Sequence, residues 1–510
     1  MVKNVIWMVF LAAFCFSCQS GVKVITVTSA ERCDMFSVRL GKKEVPVVKF
    51  RDISYIHCEV SGETDVQIIY GQDIKKYEIS PRFADIKGSA QGKKLSFKIP
   101  KAGYYVVRIN DGEYLFLLAD NPEQKSYTDK SRNIINVKDY LTGHTGEVLQ
   151  TEYLQKALDD ASGSNKVLFF PAGVYKTGTL HVRSNTDIYL APGALIQGSG
   201  DRKDYPTDGD RLESDHVNRS KEEYTDNGEF MTFSRLILID EATNVHVFGR
   251  GTIDGNGTVL RAQGKPANLI RVRRSENVLI EGIVLRNPAA WNTHIQYCDD
   301  VTMRDVKIIN DFEVPNTDGI DPDASRNVLI DHCFAYCNDD NIAIKTTNNM
   351  DLNRDLENIT VSGCVFLTRK SSLKVGTETK ADVMRNILFQ NNDVIVSDRG
   401  MVLYCNDGAL FEDIRFEDNR FEYSFHKGQQ RGIHFVIKNR YGKGTVRNVS
   451  VKDCIFYEAF PKSSQIFGLD AGHSVDGVTF ENLEIAGKKI LSIKDADLET
   501  NDYVKNIQFK

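Results

Sequence analysis

The chain has 510 residues, 41% of them hydrophobic and 26% charged, with a formal net charge of −6 and a pI near 6.0. These proportions belong to a folded soluble protein of two or more domains or one elongated repeat array, and the acidic balance leaves no basic footprint for nucleic acid. Only 12 prolines against 37 glycines, with 20 tyrosines and 27 phenylalanines, suit strands and turns better than helices.

Residues 1–18 read as an export signal. Lys3 precedes an apolar run from Val5 to Phe16 that is too short to span a bilayer. The run ends in Phe16-Ser17-Cys18, which resembles a bacterial lipoprotein signal. That predicts lipidation of Cys18, membrane attachment through it, and export to the periplasm or outer membrane. The alternative is an ordinary cleaved signal in which Cys18 has no role. The later cysteines, Cys33, Cys58, Cys298, Cys333, Cys337, Cys364, Cys405 and Cys454, form no CxxC pair, so no zinc site is expected. Cys33 and Cys58 are the pair that an oxidising compartment would allow to bond. The others lie mostly in strand-like runs and read as small buried apolar residues.

Residues 21–125 alternate short β-prone runs, such as Val66–Tyr70, Leu95–Ile99 and Tyr104–Ile109, with turn signals at Ser61-Gly62, Gly92-Lys93 and Asp111-Gly112. This pattern predicts a small antiparallel β-sandwich. The polar stretch from Asp120 to Ser126 reads as its linker to residues 130–510. There the segment from Val148 to Leu158 places apolar residues at 149, 153, 154, 157 and 158, one face of a helix suited to capping an open core.

A repeat then runs through the chain. Asn244, Asn277, Asp300, Asn327, Asn358, Asn386, Asp413, Asn448, Gly477 and Asn506 each precede an aliphatic residue that opens a strand-like run, at steps from 23 (277 to 300) to 35 (413 to 448). A unit of that length without a helix cannot bury its own apolar face, but stacked units form a parallel β-solenoid with a continuous core. The reading is all-β: a parallel β-helix after a small sandwich.

Two acidic segments lie one coil apart: Asn316-Thr317-Asp318-Gly319-Ile320-Asp321 and Asn338-Asp339-Asp340-Asn341-Ile342. Aligning Ile320 with Ile342 stacks Asp318 on Asp340 at the interstrand spacing of roughly 4.8 Å. Crowded carboxylates push one another's pKa values apart, which is the division of labour that glycosidic hydrolysis needs: one protonated acid, one ionised base. Extending the Ile column through Leu373 and Met401 brings Ser371 and Arg399 into register with the two aspartates.

The two acidic segments resemble the motifs of glycoside hydrolase family 28, the polygalacturonase family. So do Phe170-Pro171-Ala172-Gly173-Val174-Tyr175 and Leu190-Ala191-Pro192-Gly193-Ala194, so that the likeness covers roughly residues 133–470. The resemblance implies a right-handed parallel β-helix of the pectin-lyase-like kind, no cofactor or metal, a poly- or oligosaccharide substrate, and inversion by direct attack of water. By position it implies Asp339 as general acid, Asp318 and Asp340 as activators of water, and Asn316 as a substrate contact. Two family motifs are absent. Ser371 stands where the family has a histidine, and Asp398-Arg399-Gly400-Met401-Val402-Leu403-Tyr404 replaces the strand with the basic Arg-Ile-Lys motif that grips galacturonate. Asp321, Lys345, Ser371, Lys374, Arg399 and Tyr404 are therefore the local candidates for sugar binding. Trp291, one coil earlier, is a candidate stacking platform, with Tyr297 and His294 beside it. A dextran-like neutral glucan remains an alternative to a pectic substrate. A polysaccharide lyase using Ca²⁺ and Arg399 as base, and a non-catalytic glycan-binding β-helix, are the alternatives to a hydrolase.

Overall fold

The computed structural model describes residues 21–25, 32–142, 146–206, 234–264, 267–348 and 353–510; the export segment and Cys18 lie outside the described residues. From residue 134 onward the chain winds as a right-handed parallel β-helix with sheets of 13, 12 and 11 strands. Most coils give one strand to each sheet, as Arg326–Asp331, Phe334–Cys337 and Ile342–Thr346 do. Side chains alternate in and out along each strand. Ile320, Ile342, Leu373, Met401 and Ile433 consequently stack in one inward column, fully buried and in direct register.

The repeat of Asn and Asp is a repeat of backbone conformation. Asn277, Asn327, Asn358 and Asn386 all have φ between 53° and 60°, the left-handed region that Asn tolerates better than other residues with a Cβ, and Gly477 takes the same place at 78°. Their amides form a ladder along the helix. The Nδ2 of each donates to the Oδ1 one coil earlier, at 2.7 Å for Asn277 to Asn244, 2.9 Å for Asn358 to Asn327 and 2.6 Å for Asn386 to Asn358.

The capping helix spans Thr151–Ala161 and buries Leu154, Ala157, Leu158 and Ala161 over the open end of the core. It starts three residues later than the apolar pattern suggests. Gln150 gives its backbone N–H to Lys176 O at 2.8 Å and its side-chain amide to Thr142 O at 3.1 Å, which ties the preceding turn to the first coil. Leu149 and Tyr153, expected on the buried face, are 38% and 40% exposed.

Residues 22–120 form two packed sheets of six and five strands. Their pairings are antiparallel apart from that of Tyr114–Asp120 with Ile53–Val60. Cys33 and Cys58 are both free thiols. Cys33 N–H bonds Val47 O, and Val48 pairs with Tyr55, so Cys33 faces the strand about three residues short of Cys58. That offset, roughly 10 Å, exceeds the Cα span of a disulfide.

Asp120, read as the start of a polar linker, is the end of a strand and is fully buried. Its carboxylate accepts from Lys307 Nζ at 2.6 Å and Tyr104 Oη at 3.0 Å, and contacts His57 Nε2 at 2.7 Å and Arg250 Nε at 3.4 Å. Around this ionic centre Tyr55, Phe116 and Leu118 pack on Val284, Phe334 and Tyr336 of the β-helix in one apolar cluster. A buried charge is tolerable only when paired and hydrogen-bonded, so Asp120 and Lys307 fix the two units in one arrangement.

Candidate active site

The acidic patch is built by register. Ile320 pairs with Ile342, Ile342 with Leu373, and Ser371 with Arg399. Two residues before the inward column, where each coil turns into the 11-stranded sheet, stand Asp318, Asp340, Ser371 and Arg399 in successive coils. Gly319 sits between them where the chain allows no side chain: a Cβ there would be 2.4 Å from Asn341 O. Asp339 precedes Asp340 on the turn, its Oδ1 accepting the Asp340 N–H at 3.0 Å while its carbonyl accepts from Thr368 Oγ1. One carboxylate oxygen from each of Asp318, Asp339 and Asp340 lies within 4.8 Å of the other two.

The three carboxyls differ in environment. Burial acts upward on Asp340, but Lys374 and Arg399 outweigh it and hold its pKa at about 2. Lys374 Nζ bonds Asp340 Oδ2, and Ser371 N–H bonds Oδ1 at 2.8 Å. Burial pushes Asp339 upward and the neighbouring Asp340 charge adds to it, with Lys374 opposing. Burial lifts Asp318 well above the usual carboxylate range, helped by Asp321 and opposed by Lys345. Lys345 Nζ is shared, 3.6 Å from Asp318 and 3.2 Å from Asp321, and burial lifts Asp321 to about 7 despite it. Asp340 is thus the ionised member of the trio, while burial pushes Asp318 and Asp339 upward.

The other expected residues divide. Arg399 bonds Tyr404 Oη at 3.1 Å and pairs with Asp398 at 3.2 Å. Tyr404 in turn contacts His434 Nδ1 at 2.8 Å, so these three form one polar wall beside Lys374. Ser371 Oγ is buried with no hydrogen-bond partner among the described residues. Asn316 takes a left-handed φ of 60° and accepts from Arg261 at 3.2 Å. Trp291, expected as an open platform, is only 6% exposed and carries Lys345 Nζ 3.9 Å from its ring centroid. A lone cation held over an aromatic face is a favourable arrangement, and it leaves that face unavailable to a sugar. His294 packs edge-on to Trp291 and bonds Asp323 at 2.9 Å, with its pKa lowered to about 4 by burial. Tyr297 is buried as well.

His434, Arg261 and Asp323 escaped the sequence reading. His434 was within reach, because carrying the column one coil past Met401 to Ile433 aligns His434 with Val402. Arg261 lies on a short helix, Gly257–Ala262, outside any repeat, and gave no signal.

The trio could hold a divalent cation by distance alone. Its donors do not favour one: two of the three carboxyls are pushed toward protonation, and the ammonium groups of Lys345 and Lys374 already occupy the carboxylate edges.

The resemblance carried by the two acidic segments holds across the β-helix. The chain belongs to glycosyl hydrolases family 28, whose sequence profile matches residues 217–502. A probable polygalacturonase of Vitis vinifera is 28% identical over 215 residues, 39% of this chain and 42% of that one. An exo-poly-alpha-D-galacturonosidase of Dickeya chrysanthemi is 22% identical over 439 residues, 71% of this chain and 69% of that one. The solved exopolygalacturonase from Thermotoga maritima shares the fold with a TM-score of 0.58 at 20% identity, covering 74% of this chain and 92% of that one.

Proposed function

We propose that this chain hydrolyses a glycosidic bond of a pectic galacturonan, with Asp339 as general acid and Asp340 as base. The observation that carries the reading is the split within the trio: Asp340 is held at about 2 by Lys374 and Arg399, while burial raises Asp339. Asp339 gives its proton to the leaving glycosidic oxygen. Water attacks the anomeric carbon and passes its proton to Asp340. Asp318, a protonated neighbour one coil away, orients that water by hydrogen bonding and replaces the second base implied by position.

The charge around the trio supports an acidic sugar. Lys345, Lys374 and Arg399 stand around the patch while burial pushes Asp318, Asp321 and Asp339 toward the neutral form, and the three cations suit a uronate carboxylate. Arg399 and Lys374 take the part of the absent Arg-Ile-Lys grip.

Inversion rests on the family pattern. The carboxylate oxygens lie within 4.8 Å of one another, shorter than the roughly 6.5–9.5 Å of a typical inverting pair. Proton NMR of the first-formed reducing end decides the stereochemistry.

The test is a panel of polygalacturonate, carboxyl-reduced polygalacturonate and dextran. Reducing ends released from polygalacturonate alone support the reading. Release from dextran makes the substrate a neutral glucan, ultraviolet-absorbing unsaturated products make the enzyme a lyase, and binding without release makes it a lectin-like solenoid. We extend the proposal to export and lipidation on the strength of the Val5–Phe16 run before Cys18; incorporation of a labelled fatty acid that is lost in Cys18→Ala would support it.

A further inference from the structure

A cavity of about 430 Å³ lies where the N-terminal sheets meet the β-helix, lined from the first unit by Asp52, Glu78, Arg108 and Tyr114 and from the second by Tyr336, Arg369, Tyr423 and Phe425. Its size falls in the range of ligand sites, which favour seams between domains. Its walls are fixed. Glu422 bridges the seam by accepting from Ser80 Oγ and Arg82 N–H, both at 2.5 Å, and Lys307 with Asp120 locks it from within.

The lining combines aromatic faces with planar polar groups. Tyr336 stacks on Phe312 with ring centroids 3.7 Å apart, Arg369 stands 4.9 Å from Phe312 and 5.9 Å from Phe425, and Arg108 stands 5.6 Å from Tyr114. Phe425, Tyr114 and Tyr423 are half-buried on the cavity wall, and Arg82 stands over the Tyr423 ring at 4.4 Å. The Nε–H of both arginines finds no acceptor among the described residues. Aromatic faces bind the apolar faces of sugar rings, and guanidinium and carboxylate groups bind their hydroxyls.

Charge decides which sugar. Glu78 stands opposite Arg108 in the strand register, Arg369 is paired with Glu313 at 2.8 Å, and Asp52 is also on the wall. The cavity has no excess positive charge, unlike the acidic patch with its lysines, so a uronate gains nothing here. We infer that this seam is a second, non-catalytic carbohydrate site that takes a neutral glycosyl unit. Phe312 lies six residues before Asp318, and Arg369 lies two before Ser371. The seam and the acidic patch thus share two stretches of chain, and, resting on the pectic reading above, a neutral branch is the unit that the seam would take.

The test uses the full chain carrying Asp339→Asn, titrated by calorimetry and saturation-transfer NMR with neutral galacto-, arabino- and xylo-oligosaccharides and, separately, with oligogalacturonate. At least one neutral series should bind, its sugar-ring protons should receive saturation from the protein, and Phe425→Ala and Arg108→Gln should each weaken it about tenfold or more. Asp340→Asn should leave it unchanged, and oligogalacturonate should not compete. Thermal melts matching the parent show that the variants fold. The inference is overturned if no neutral series binds, if Asp340→Asn weakens the binding as much as Phe425→Ala, or if oligogalacturonate displaces it.

Discussion

Lys374 donates from Nζ to one oxygen of Asp340, while the Ser371 backbone N–H holds the other at 2.8 Å. Two donors from the next coil thus keep a buried carboxylate ionised in a place where burial alone would protonate it. The contact follows from register: with Ile342 on Leu373, Ala343 lies beside Lys374, and the lysine reaches back past that small residue to Asp340.

Lys374→Met should move the acidic limb of the pH–rate profile upward, because burial is then opposed less by charge. In the parent the limb is expected near Asp340's folded value of about 2. A pH profile of kcat/KM checks this, and an unmoved limb contradicts the account. Lys374→Arg should restore most of the parent profile.

The seam should fail asymmetrically. Lys307→Met leaves Asp120 buried without its main cation and should cost about 3–5 kcal/mol in urea unfolding. Lys307→Met with Asp120→Leu should recover much of that loss, since no charge is then left unpaired. Equal losses in the single and double variants would show that the pair is not what holds the units together.

His294 has a folded pKa of about 4 against 6.5 in an unfolded chain. Its contribution is present above pH 6.5, and it is lost as pH falls through the window from 6.5 to 4, where the unfolded state binds the extra proton. His294→Gln should therefore flatten the pH dependence of stability in that window by about one proton, worth on the order of 3 kcal/mol. Parallel curves for parent and variant would contradict this.

Chelation should do nothing. EDTA should leave reducing-end release from polygalacturonate within error, and added Ca²⁺ should not raise it, because Lys345 and Lys374 already occupy the acidic edges. Loss of activity with EDTA and recovery with Ca²⁺ would assign the trio to a metal.

The fold was legible because its regularity is written in residues whose conformations are restrictive. Asn and Gly mark the left-handed position of each coil, and aliphatic residues mark the inward column. The same column predicted which coils align at the site, and Asp318, Asp340, Ser371 and Arg399 fall where it puts them. Charges buried by three-dimensional contact were not legible. Asp120 sits in a polar run that reads as linker, and its partner Lys307 lies 187 residues away. Trp291 looks like a sugar platform until Lys345, 54 positions on (345 − 291), is seen to cover it.

The most direct test of the central claim is the initial rate of reducing-end release from polygalacturonate by Asp339→Asn, measured beside the parent with folding checked by thermal melt. Loss of a general acid predicts a fall in kcat of roughly 10²–10⁴ with an unchanged melt. A folded variant that keeps kcat within about threefold of the parent would contradict the assignment of Asp339 as the acid.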